Sequence, residues 1–383
     1  MRVLHVYTGN LFGGIESMLA TIARNRAGAF DSEMALCFDG RLADELRRAG
    51  TRTHLLPEPR ASRPLTVRRS RRALMSLLRA RRFDGVICHA AWAHAMFAPA
   101  VRRMGVPLIF WSHDVMTGRA WTERWARRTP PDLAICNSDF TAARIHTLFD
   151  RVPTVTIYAP VEPPTPLSTD RHLFRRSLDT RDEAIVIVQA SRSDPAKGHA
   201  ALAEALGRLR DVPNWIWWQI GGAQRPVEAA CLREVRQIAT RAGIIDRVRF
   251  VGERDDVPRL LAAADIHCQP NVRPEAFGIA FIEALAAGLP VVTTAMGGAM
   301  EIVDASCGVL VAPDDAEALA AALRRLVIDR TFRSSLASGA PARARALCDP
   351  QTQMQHLVDA LGRMLDSRTG AGLQTVMGAD AVR

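Results

Sequence analysis

Lysine is almost absent from this chain. Of its 50 basic residues one is lysine, Lys197, and the other 49 are arginine. Cysteine is sparse: seven residues, at 37, 88, 136, 231, 268, 307 and 348, odd in number and without a C-x-x-C pair. That excludes a disulfide framework and a structural zinc site, and it fits a reducing, cytoplasmic setting. No apolar run approaches the roughly 18 residues of a membrane span. The opening VLHVY is too short for a secretory leader and runs straight into a glycine turn. There is no internal repeat of solenoid period and no Asp-x-Asp.

What is present suits a soluble globular protein of two domains. The chain has 383 residues, 48% hydrophobic and 23% charged. Its net charge of +10 is unevenly placed: residues 1–160 carry 24 Arg against 13 Asp and Glu, a net +11, and the remainder is close to neutral. Such a field favours an acidic partner: an anionic lipid, a phosphorylated acceptor or nucleic acid. A recognised nucleic-acid module is missing, so no nucleic-acid partner is expected.

Apolar, β-branched runs alternate with helical stretches. In the first half they are VLHVY (3–7), MALCF (34–38), GVICH (85–89), LIFW (108–111), LAIC (133–136) and VTIY (155–158). In the second they are AIVIV (184–188), WIWWQI (215–220), VRFV (248–251), DIHCQ (265–269), VVTT (291–294) and GVLV (308–311). Continuous apolar strands between helices indicate parallel sheets covered on both faces. The proline-dense 159–170 cannot continue a helix or an inner strand and reads as a linker. The expected domains are 1–160 and 161–349. An amphipathic helix follows at 350–366, with Met354, Leu357, Leu361 and Met364 or Leu365 on its apolar stripe. It is expected to pack back towards the first domain, and 367–383 to be a disordered tail.

Ligands of open α/β sheets bind outside the carboxyl ends of the strands, where helix N-termini suit phosphate. Three turns qualify. TGNLFGGIE (8–16) offers Gly13 and Gly14 for close backbone approach. ASRSDPAKGH (190–199) puts Arg192 beside the single lysine, Lys197; a compact ammonium is a plausible phosphate binder. RPEAFGIAFIEALAAGLPVV (273–292) sets Glu275 on a turn and Glu283 on an otherwise apolar helix. Carboxylates there can be satisfied by sugar hydroxyls, and the N–H groups of Phe277 and Gly278 by a diphosphate.

Glu-x7-Glu in this context, with SR-S-DP-A-KG before it, a GGIE turn near the N-terminus and GG-A-M-E-I-V at 297–303, resembles the retaining glycosyltransferases of family 4 (group 1), which have the GT-B fold. The resemblance covers roughly residues 1–345. It implies two Rossmann-like, doubly wound α/β domains facing a central cleft, the second binding a sugar nucleotide and the first the acceptor. Arg192 and Lys197 would neutralise the diphosphate, Glu283 would meet the ribose and Glu275 the transferred sugar. Gly13 and Gly14 would approach the diphosphate or sugar from the other domain. His113, in FWSHDV, matches a histidine near that sugar. No cofactor or metal is expected. Ala196 departs from the acidic residue often found before the Lys-Gly.

RASRPLTVRRSRRALMSLLRARRF (60–83) carries nine arginines around Leu74, Leu77 and Leu78, and WTERWARR (121–128) sets Trp121 and Trp125 among arginines. Both suit an anionic membrane surface. Peripheral attachment to the cytoplasmic face of the inner membrane is therefore expected, with a glycan or lipid-linked acceptor of cell-envelope type. The sequence leaves open another enzyme of the same fold, such as a sugar-nucleotide epimerase, and a non-catalytic basic protein binding membrane or nucleic acid on this scaffold.

Overall fold

A computed structural model describes residues 1–9, 12–25, 30–164 and 171–379, with side chains to 368. The chain forms two compact units, Met1–Pro160 with Pro350–Arg383, and Val161–Asp349. The end of the expected linker, 165–170, lies outside the described residues.

The first unit holds seven strands: β1 (Arg2–Tyr7), β2 (Asp31–Leu36), β3 (Thr53–Leu55), β4 (Gly85–His89), β5 (Leu108–Ser112), β6 (Leu133–Cys136) and β7 (Thr154–Thr156). They make one parallel sheet in the order β3-β2-β1-β4-β5-β6-β7. β1, β4 and β5 are buried almost throughout because helices cover both of their faces; Leu4, Val6, Val86, Cys88, Leu108 and Phe110 share one core. β3 is an addition to the expected set. Its three residues are partly exposed at the sheet edge and carry no apolar run to announce them.

The second unit holds β8 (Ile185–Ala190), β9 (Trp215–Ile220), β10 (Val248–Gly252), β11 (Ile266–Gln269), β12 (Val291–Thr294) and β13 (Gly308–Val311). This sheet is also parallel, in the order β10-β9-β8-β11-β12-β13. β9 buries Trp215, Trp217 and Trp218. Two of these indoles find acceptors: Trp215 Nε1 donates to Leu209 O and Trp218 Nε1 to Thr180 Oγ1, each at 3.0 Å. Strand order reverses between β1 and β4 and between β8 and β11, and in such folds the reversal opens a crevice.

The final helix, Pro350–Ala379, belongs to the first unit and buries Met354, Leu357, Leu361 and Met364. It runs past residue 366, where the sequence reading ends it. After Pro350 no proline removes a backbone donor, and single glycines cost only about 1 kcal/mol each. The last part of the expected tail, 380–383, lies outside the described residues. All seven cysteines are buried free thiols. Among the described residues no helix is long and apolar enough to cross a membrane.

Candidate active site

The turns after β8 and β11 stand at the switch point of the second sheet. After β8, a short 3-10 turn (Pro195–Lys197) ends at Gly198, whose φ is +72°. A Cβ on Gly198 would lie 1.7 Å from Pro270 O, so only glycine lets the two turns press together. Val272 N–H donates to Ala196 O at 3.0 Å, and Gln189 Nε2 to Lys197 O at 2.9 Å. The glycine of the Lys-Gly pair is therefore a packing requirement.

Lys197 lies across this junction from Glu275, Nζ to Oε2 at 2.5 Å. Asn271 Nδ2 donates to the same oxygen at 3.3 Å. Arg192 Nη1 donates to Glu228 Oε1 at 2.8 Å. Glu228 is fully buried at the start of the helix Pro226–Arg241, and its other oxygen accepts from the backbone N–H groups of Gln224 and Arg225 at 2.7 and 3.2 Å. Each cation expected to meet a diphosphate is thus held by a carboxylate of the protein. Sequence reasoning assigned no role to Glu228 or Asn271. The one signal for Glu228 was the arrangement Arg-Pro-Val-Glu (225–228), with proline first and glutamate third in a new helix.

The loop of Glu275 rests on a second glycine pair. Glu275 bridges to Gly297, and Gly298 N–H donates to Glu275 O at 2.9 Å. A Cβ on Gly297 would come within 2.3 Å of Glu275 O, and one on Gly298 within 2.7 Å of Ala276 O and Phe277 Cα. Phe277 is buried, and Gly278 caps the helix Ile279–Ala286 with φ +111°. Glu283 sits in the second turn of that helix. It is half-buried, so the residue expected inside an apolar helix is not fully enclosed.

In the first unit Gly13 precedes the helix Gly14–Arg24, and its N–H donates to Glu16 Oε2 at 2.9 Å. The other oxygen of Glu16 accepts from Tyr7 O–H. That amide is therefore engaged by the protein's own carboxylate. The spacing of three residues makes this a helix-start arrangement. Gly14 is the first helical residue. His113 directly follows β5 and is 9% exposed; burial lowers its pKa to about 3, so its imidazole is neutral.

The arginine-rich helix Pro64–Ala80 turns its later leucines inward. Leu74 and Leu78 lie in the core and Leu77 packs against it. The apolar stripe read from 60–83 is thus consumed by the sheet. Arg71 also turns in, donating to Met96 O at 2.6 Å, whereas Arg68, Arg69, Arg72 and Arg79 are exposed. Leu65 is 76% exposed and Trp121 53%, and Trp121 packs on Trp92 and Trp125.

Two parallel sheets, each with its strand order reversing at a switch point, define a doubly wound α/β class of fold. The family model described as glycosyl transferases group 1 matches residues 170–343, and that of glycosyltransferase family 4 matches residues 12–163. The chain belongs to this family of glycosyltransferases, and its fold is GT-B. It is similar to D-inositol 3-phosphate glycosyltransferase of Salinispora tropica, 31% identical over 69% of this chain and 60% of the relative, so the match spans less than two thirds of that protein. It is 27% identical, over 87% of this chain and 90% of the relative, to a GDP-mannose-dependent monoacylated phosphatidylinositol monomannoside mannosyltransferase of Corynebacterium glutamicum. The solved structure of Anabaena HepE in complex with UDP-glucose matches at a TM-score of 0.83 and 26% identity, over 95% of this chain and 100% of that one.

Proposed function

We propose that this protein transfers a sugar from a nucleoside diphosphate sugar to an acceptor hydroxyl, with retention of anomeric configuration and without a metal. The observation that carries the reading is the junction of the β8 and β11 turns: they press together at Gly198 and Pro270, Lys197 of the first pairs with Glu275 of the second, Arg192 lies on the first, and the second leads into the helix Ile279–Ala286. Fixed cations and helix N–H groups stabilise a departing diphosphate. On this reading Glu275 and His113 meet the transferred sugar and Glu283 the ribose, with Gly13 and Gly14 close to the diphosphate or sugar. HepE, with UDP-glucose bound, favours a uridine donor; the Corynebacterium relative keeps GDP-mannose in the comparison. Both glutamates of the pair are present, which disfavours a non-catalytic scaffold, and the named relatives are transferases, which disfavours an epimerase.

A thermal-shift panel with UDP, GDP, ADP, dTDP and their sugar conjugates tests this. A ligand at 100 times its Kd stabilises by about 2.7 kcal/mol. One nucleotide is expected to raise the midpoint, and Glu283→Ala to abolish the rise; a panel with no shift overturns the reading. Retention is checked by NMR of the anomeric linkage in the product.

The acceptor is proposed to be lipid-linked, and the enzyme to work in the cytoplasm at the inner membrane surface. The support is the outward arginines, the exposed Trp121 and Leu65, and the acylated acceptor in the name of the Corynebacterium relative. Sedimentation with anionic vesicles at low salt should carry the protein down, and Trp121→Ser should weaken this. No sedimentation sinks the membrane reading.

A further inference from the structure

Three histidines cross the first sheet on a diagonal. His5 of β1 stands opposite Ile87 of β4, and His89 of β4 stands opposite Trp111 of β5. His89 is two residues beyond Ile87, and His113 two beyond Trp111. Side chains two apart share a face of a sheet, so each histidine lies one pleat nearer the carboxyl edge than the last. Nδ1 of His5 is 2.9 Å from Nε2 of His89, and Nδ1 of His89 is 2.9 Å from Nε2 of His113. Successive ring centres are 5.2 Å apart with planes inclined by 15° and 18°. Two ring radii plus one hydrogen bond account for that separation. The rings therefore lie edge to edge in a line, with Trp111 beside them.

The array has one closed end and one open end. His5 and His89 are fully buried, and Nε2 of His5 has no partner among the described residues. Among the described residues the array ends there. Burial keeps all three rings neutral: His5 and His113 are pushed down to about 3, and His89 lies well below its ordinary range with its two neighbours adding to the effect. A neutral imidazole carries one N–H and one lone pair. The hydrogen bonds must then all point the same way, in one of two senses. In one sense the orphan at His5 is a buried N–H; in the other it is a lone pair. Buried orphan N–H groups are the rarer and costlier.

We propose that His5 and His89 are positioning residues that hold His113 as the Nδ1–H tautomer, a fixed hydrogen-bond donor towards an oxygen of the transferred sugar. His5 Nδ1–H donates to His89, His89 Nδ1–H donates to His113, and His113 presents its own Nδ1–H outward. His113 then reads a sugar oxygen and takes up no proton. The sugar contact rests on the proposed function; the tautomer does not.

Nitrogen-15 NMR of the full chain labelled at histidine tests the array without any ligand. His113 is expected to be protonated at Nδ1 and bare at Nε2. His89→Phe keeps a flat ring but removes the donor, and should move both His113 nitrogens to the averaged shifts of an exchanging ring. His89→Asn, whose amide nitrogen falls where Nδ1 was, should restore the pattern. In titrations with UDP and UDP-glucose, His89→Phe should lower the UDP-glucose affinity relative to UDP by about tenfold, the worth of one hydrogen bond, and leave UDP itself unchanged. His113 protonated at Nε2, or a His113 tautomer unmoved by His89→Phe, overturns the proposal. If the tautomer is as stated but His113→Phe leaves the affinity ratio unchanged, the array stands and the sugar contact is overturned.

Discussion

Glu275→Gln should make the protein bind UDP more tightly while slowing transfer. Glu275 holds Lys197 at 2.5 Å, with side chains 19% and 26% exposed. Unit charges 4 Å apart interact by about 4 kcal/mol at an effective dielectric of about 20. Solvent access reduces this, since exposed pairs net only about 0–1 kcal/mol; about 1–2 kcal/mol is a reasonable value for this pair. A diphosphate must compete with that carboxylate for the ammonium, and its own charge is repelled by it. Glutamine removes both effects and keeps the shape. UDP affinity should therefore rise about fivefold to thirtyfold, at 1.4 kcal/mol per tenfold. Calorimetric titration of UDP into both proteins at one ionic strength measures it, because screening alters the charge effect. The rate of sugar transfer should fall, since Glu275 is then missing from the sugar. Equal or weaker UDP binding in the variant would refute the reasoning and show that Glu275 does not restrain Lys197.

Three further outcomes are expected. Glu228→Ala releases Arg192 and leaves two backbone N–H groups unpaired; about 3 kcal/mol of stability should be lost in urea titration, together with weaker UDP binding, and an unchanged midpoint would count against it. Gly198→Ala combines φ +72° with a contact at 1.7 Å, so a loss of about 3 kcal/mol or more is expected, read by the same titration. Acid should destabilise both units before the carboxylates titrate. His5 and His113 are lowered by burial to about 3, His94 to about 4, and His267 in the second unit to about 3. The unfolded chain takes up these protons first, so the stability is complete above about pH 6.5 and declines below it, by up to about 1.4 kcal/mol per histidine per pH unit. A thermal midpoint flat between pH 7.5 and 5.5 would contradict this.

The strands were readable because periodicity and β-branched runs are local properties. So were the turns at their carboxyl ends, and the isolation of Lys197 among 49 arginines. β3 escaped because Thr53–Leu55 is an edge strand whose pairing, not its composition, makes it one. The partly exposed setting of Glu283 and the inward turn of Leu74 and Leu78 depend on what each helix covers.

By itself, then, the sequence determined the parallel α/β class, the three candidate turns and the residues that populate them. The partnerships were decided by tertiary structure alone. Lys197 meets Glu275 across 78 positions of sequence, Arg192 meets Glu228 across 36, and His5 meets His89 across 84. No local pattern encodes such pairs. Strand order brings them together: β8 beside β11, and β1 beside β4 beside β5. Burial then leaves each charge or ring nitrogen little choice of partner.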